Sequence, residues 1–182
     1  MFQLQHFEFA NWGLRLLLAQ TVIGLFLLLN VVSFSMPHAG DLKPFFLLMA
    51  VYYWAIYRPT VMPSGYTFAL GLIVDLLADL PIGMTALILL GLQILVRRSR
   101  LFLMGQPYMM VWLGFAITAV AYAAGVWFII TLAGFSFPPK SAVYQSLIAT
   151  GFSILLFPLA SLILQAVHRM LPVSSSPLRA VR

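Results

Sequence analysis

Long apolar runs, none of them alternating with a period of two, decide most of what this chain can fold into. With 63% hydrophobic and 8% charged residues among 182, there is too little polar side chain to coat a water-soluble globule. In lipid every backbone N–H and C=O must find an internal partner, which leaves helices and closed barrels. Barrel strands alternate apolar and polar residues and these runs do not. The sequence therefore specifies an all-α integral membrane protein with no separate soluble domain.

Reading the helix breakers in order gives a six-transmembrane-helix bundle. Residues 1–13, with His6 and Glu8 among aromatics, suit an N-terminal interfacial segment. No basic n-region or cleavage site precedes the first apolar core, so that helix is expected to be retained. The transmembrane domain covers 14–168, with helices at roughly 14–34, 45–57, 66–80, 84–96, 108–132 and 141–168. Turns fall at Ser35 to Asp41, Pro59 to Gly65, Pro81 to Gly83, Gly105 to Pro107 and Gly134 to Lys140. Pro44 suits the first turn of a helix, and Pro158 a kink in the last one. Residues 169–182 form a basic tail expected to be disordered. Gln20 and Asn30 are expected to bond other helices, and Gly114/Thr118 and Ala121/Gly125 give two small-xxx-small spacings for close helix approach. The second helix is too short to span without help from its flanks or a thinned bilayer.

Charge sets the orientation. With the N-terminus inside, Arg15, Arg58, Arg97, Arg98, Arg100, Arg169, Arg179 and Arg182 are cytoplasmic, and only Lys43 and Lys140 lie outside. The positive-inside rule thus selects six spans with both termini cytoplasmic. The net charge of +6 reads as topology, not as nucleic-acid binding. The absence of cysteine excludes disulfides, thiolate metal sites and cysteine nucleophiles.

One acid stands apart. Asp75 lies inside the apolar stretch Tyr66 to Leu90, one helical turn before Asp79 in the break Asp79-Leu80-Pro81-Ile82-Gly83. An ionisable group at the centre of a span costs about 2.5–3.5 kcal/mol and needs a partner or water. The topology puts this hairpin at the outer side and Arg58 at the opposite end, which leaves Thr85, Gln93, Thr118 and Tyr122 as candidate donors. Asp75 is either a buried acid tying two helices together or part of a pocket or partner contact. Catalysis is disfavoured, because no nucleophile–base constellation or metal cluster accompanies the two aspartates.

The other candidates have bland readings. His6, His38 and His168 are scattered and read as interfacial polar residues. Arg97, Arg98 and Arg100 read as topology determinants and anionic-lipid contacts. Tyr52-Tyr53-Trp54 could be a partner-facing surface, but consecutive helical residues point three ways, so at least one is ordinary packing. Gly71 and Gly83 suit close approach and turn geometry.

The order Pro44, Tyr53-Trp54, Gly71-Leu72-Ile73-Val74-Asp75-Leu76, Pro81, Gly83, Ala86-Leu87 resembles the bacterial rod shape-determining MreD family. Gly151 and Pro158 resemble that family's closing segment, and size and hydropathy agree along nearly the whole chain. Members often carry Gly where Asp79 stands, so any part Asp79 plays belongs to this sequence or to a subgroup. The carry-over rests on Gly71, Asp75, Pro81 and Gly83, with Tyr53 and Trp54 as partner-binding or structural positions. The resemblance implies a non-enzymatic inner-membrane component of the elongation machinery, without cofactor or metal. It also implies binding to MreC, and action with MreB and the elongation peptidoglycan synthase to maintain rod shape. The implied bundle is similar to energy-coupling-factor transporter substrate-binding subunits. Two other functions stay open. One is a small-molecule transporter subunit with a pocket near Asp75, which needs a separate energising chain because there is no P-loop. The other is an intramembrane enzyme acting on lipid-linked precursors.

Overall fold

The computed structural model describes residues 2–32, 34–36, 40–78, 80–132 and 140–170. Its helices are α1 (Phe2–Val31), α2 (Phe46–Tyr57), α3 (Ser64–Leu77), α4 (Met84–Arg98), α5 (Arg100–Met104), α6 (Tyr108–Leu132) and α7 (Lys140–Met170). The expected turn between the first two helices contains a short antiparallel ribbon, β1 (Phe34–Met36) paired with β2 (Gly40–Leu42), in the register Phe34↔Leu42, Ser35↔Asp41 and Met36↔Gly40. The segment expected to be interfacial is helical from Phe2 and forms one helix with the apolar stretch that follows. His38, Asp79 and the tail from 171 to 182 lie outside the described residues.

The twelve residues of α2 are apolar all round, and such a helix has to be buried on every side. Every residue from Leu47 to Ile56 is buried, and α1, α4, α6 and α7 pack around it. Tyr52 sets the centre: its ring meets Phe115 and Phe157 edge-on at 5.5 and 5.6 Å, and those two rings stack at 4.1 Å. Its hydroxyl donates to the Val111 carbonyl at 2.9 Å. A Cβ at Gly114 would collide with that hydroxyl, so one expected small-residue spacing serves α2 as well as helix approach.

The first turn of α2 has N–H groups without intrahelical partners, and its neighbours supply them. Phe45 N–H donates to Ser153 Oγ of α7 at 2.9 Å, and Leu47 N–H to Asn30 Oδ1 of α1 at 3.3 Å. Gln20 donates to the Val61 carbonyl at 3.2 Å, so Gln20 and Asn30 of α1 both bond outside their own helix.

α6 and the Ser141–Met170 part of α7 are the described helices long and apolar enough to cross a membrane unaided. α7 runs through Pro158. Proline has no N–H to give the carbonyl four residues earlier, here that of Ile154. The indole Nε1–H of Trp112 in α6 donates to that carbonyl at 2.9 Å. The defect in one helix thus becomes the attachment point of the next.

Candidate functional site

α3 closes with Ala78 N–H on the Val74 carbonyl and Leu80 N–H on the Asp75 carbonyl at 3.0 Å. Pro81 follows, and Met84 N–H returns to its carbonyl at 3.1 Å. Gly83, the residue that caps α4, has φ +94°, a left-handed conformation that costs other residues a Cβ clash. Having no side chain, it also leaves the N–H groups of the first turn of α4 without a local cap.

Asp75 supplies that cap from the preceding helix. Its side chain is 0% exposed. Oδ2 accepts from Gly83 N–H at 2.9 Å and from Ala86 N–H at 3.4 Å, and Oδ1 accepts from Thr85 N–H at 2.9 Å. The carboxylate therefore meets three main-chain donors at the positive end of a helix dipole, which is what makes a buried anion tolerable. One turn earlier on the same face, Gly71 lets the helices touch. A Cβ there would stand 2.8 Å from Ala86 N and 2.9 Å from its Cβ, and closer still to its Cα. Backbone cannot swing aside as a flexible side chain does, so position 71 admits only glycine at this spacing.

Gly71, Asp75, Pro81 and Gly83 thus converge on one hairpin. Of the donors expected for Asp75, Thr85 alone bonds it in the hydrogen bonds described, and through the main chain. Gln93 donates to the Met62 carbonyl at 2.8 Å, Thr118 to Gly114 at 2.8 Å, and Tyr122 packs edge-on against Phe45 at 4.8 Å. Tyr53 and Trp54 lie elsewhere, buried in the last turns of α2. The Tyr53 hydroxyl is 3.4 Å from His168 Nδ1, and Trp54 stacks on the His168 ring at 6.1 Å. Both rings face the inside of the bundle, as structural positions do.

Arg97 is the residue whose place the sequence reading missed. It turns inward, donating through Nη1 to Ser64 Oγ at 3.1 Å and through Nη2 to the carbonyls of Pro59 at 3.1 Å and Met62 at 2.6 Å. With Gln93 one turn before it, Arg97 pins the α2–α3 turn to α4. Two polar residues four apart in an apolar helix were the available signal.

A cavity of about 180 Å³ lies near the hairpin, lined by Asn30, Lys43, Val74 and Tyr122 among others, and Asp75 is not in its lining. Ligand pockets usually measure roughly 300–1,000 Å³. Among the described residues no three His, Cys, Asp or Glu side chains gather as a metal site.

Fold and site together define a helical membrane protein in which a buried carboxylate joins two helices. The chain belongs to the family of rod shape-determining protein MreD, whose family model matches residues 12–167. No curated protein and no solved structure matches it. Membership assigns the chain a part in determining rod shape.

Proposed function

We propose that this protein is a non-enzymatic inner-membrane scaffold that holds the transmembrane segment of MreC and helps couple the MreB filament to peptidoglycan synthesis. It does so as a six-span bundle of the energy-coupling-factor substrate-subunit kind, with both termini cytoplasmic. The observation that carries the reading is the capped carboxylate of Asp75: among the described residues its three hydrogen bonds come from the main-chain N–H groups of Gly83, Thr85 and Ala86 at the start of α4, so the acid builds structure. The clustering of Arg58, Arg97, Arg98 and Arg100 at helix ends on one side supports the orientation.

Helix length supports the docking. α3 and α4, which lie at the surface where the enclosed 12-residue α2 does not, have 14 and 15 residues, about 21–22 Å at about 1.5 Å per residue, against about 30 Å of hydrocarbon. The bilayer over this side is thinned or the surface grooved, and Leu76 and Leu87 stand out from it, 63% and 59% exposed. A partner helix covering that face relieves the mismatch. Leu76→Trp, which leaves the Asp75 bonds in place, is expected to reduce co-purification with MreC and rescue of rod shape in a depleted host. Undiminished association across substitutions of the exposed α3–α4 face would refute the docking.

A further inference from the structure

At the arginine-bearing end of the bundle, a cleft of about 520 Å³ lies between α6 and α7, floored by α2. Its inner wall sets Val111 and Phe157 beside the rings and hydroxyls of Tyr53 and Tyr57. Its mouth is polar and basic: Gln165, His168 and Arg169 line it, and no lining residue is acidic. His168 is held there by Tyr53 and Trp54, so that part of the wall is built in place before any ligand arrives. Its edge combines Leu162, 62% exposed, with Tyr108, 50% exposed, whose hydroxyl bonds Ser161 Oγ at 2.7 Å, so apolar surface stands beside the mouth where acyl chains would run.

A floor of tyrosine rings, an apolar wall, a cationic mouth and an exposed apolar edge at the ends of two long helices match one chemistry. We propose that the cleft binds an anionic phospholipid, its phosphodiester at Arg169 and Gln165 and its upper acyl chain along Leu162 and Phe157. A soluble anion has no use for the exposed apolar edge at Leu162, and a neutral lipid none for Arg169. The height fits, because Arg169 lies one residue before the end of α7, where headgroups meet a spanning helix.

The test is native mass spectrometry of the full chain in detergent, titrated with phosphatidylglycerol, with phosphatidylcholine, and with phosphatidylglycerol in the presence of millimolar inorganic phosphate. Arg169 is exposed, so Arg169→Gln leaves the packing intact. Wild type is expected to retain phosphatidylglycerol over phosphatidylcholine, with about fivefold weaker retention in Arg169→Gln, the contribution of one cation near a headgroup. Phosphate is expected not to displace the lipid. Equal retention of both lipids, equal retention by both proteins, or displacement by inorganic phosphate would overturn the proposal. So would unchanged lipid retention in an Arg169→Gln variant that loses MreC, since the cleft would then belong to a protein partner.

Discussion

Asp75 in the last turn of α3 accepts a 2.9 Å hydrogen bond from the main-chain N–H of Thr85 in the first turn of α4. Side chain and backbone donor are ten residues apart and belong to different helices, so the bond holds only while the hairpin is closed.

Replacing that carboxylate should therefore cost stability before it costs anything else. Asp75→Asn removes the charge and turns an NH₂ group toward N–H donors. Hydrogen bonds to a charged group contribute about 1.5–3 kcal/mol each, and the variant is expected to lose about that much, read as a lower melting temperature in detergent. An Asn variant as stable as wild type yet inactive in shape rescue would return Asp75 to the list of ligand-contacting or catalytic groups.

Glycine substitutions should separate by position. Gly71→Ala forces a Cβ onto the Ala86 backbone and is expected to cost about 1–3 kcal/mol. Gly83→Ala must hold φ +94°, at about 1–2 kcal/mol. Gly91→Ala meets open space within α4 and should be neutral or stabilising by up to about 1 kcal/mol. Thermal unfolding of the three side by side decides the matter, and equal losses at all three would contradict the packing described here.

The Trp112–Ile154 bond exists because Pro158 has no N–H. Trp112→Phe strands a carbonyl and should destabilise by about 1–3 kcal/mol. In a Pro158→Ala background the restored helical N–H reaches the same carbonyl, and the effect of Trp112→Phe should shrink. A double-mutant cycle with no coupling would show that the two defects are independent.

Arg97 and Arg98 are neighbours with different tasks. Arg97→Ala releases Pro59, Met62 and Ser64 together, and Arg97→Lys should recover only part of the loss because a point ammonium cannot fork between carbonyls. Arg98→Ala should change little. Protease susceptibility of the 58–63 turn is the readout, and equal nicking in the Arg97 and Arg98 variants would argue against the clamp.

The lack of native cysteine makes topology directly measurable. A membrane-impermeant maleimide should label Ile82→Cys, at a hairpin position 74% exposed, in intact cells. Ser99→Cys should react only after permeabilisation. Labelling of both from the same side would refute the six-span orientation.

Much of the frame was legible in the residues. The α6 boundaries expected at 108 and 132 are the observed ones, because apolar length and flanking glycine and proline are local signals. The meeting of Gly71, Asp75, Pro81 and Gly83 was legible too, since a hairpin this tight brings near neighbours in sequence together. Thr85 stood among the candidate donors to Asp75, but that it donates through its main chain, the inward turn of Arg97 and the Trp112 bond to Ile154 were not legible.

The amino-acid order determined by itself that this chain is helical and membrane-bound, and where proline and glycine interrupt it, though not the short α5 or the early start of α1, because transfer of apolar side chains and the geometry of proline and glycine act residue by residue. Tertiary structure alone decided which polar groups meet. A main-chain N–H or carbonyl is the same in every residue, so nothing in the sequence marks the donor or acceptor that packing will bring to a given side chain.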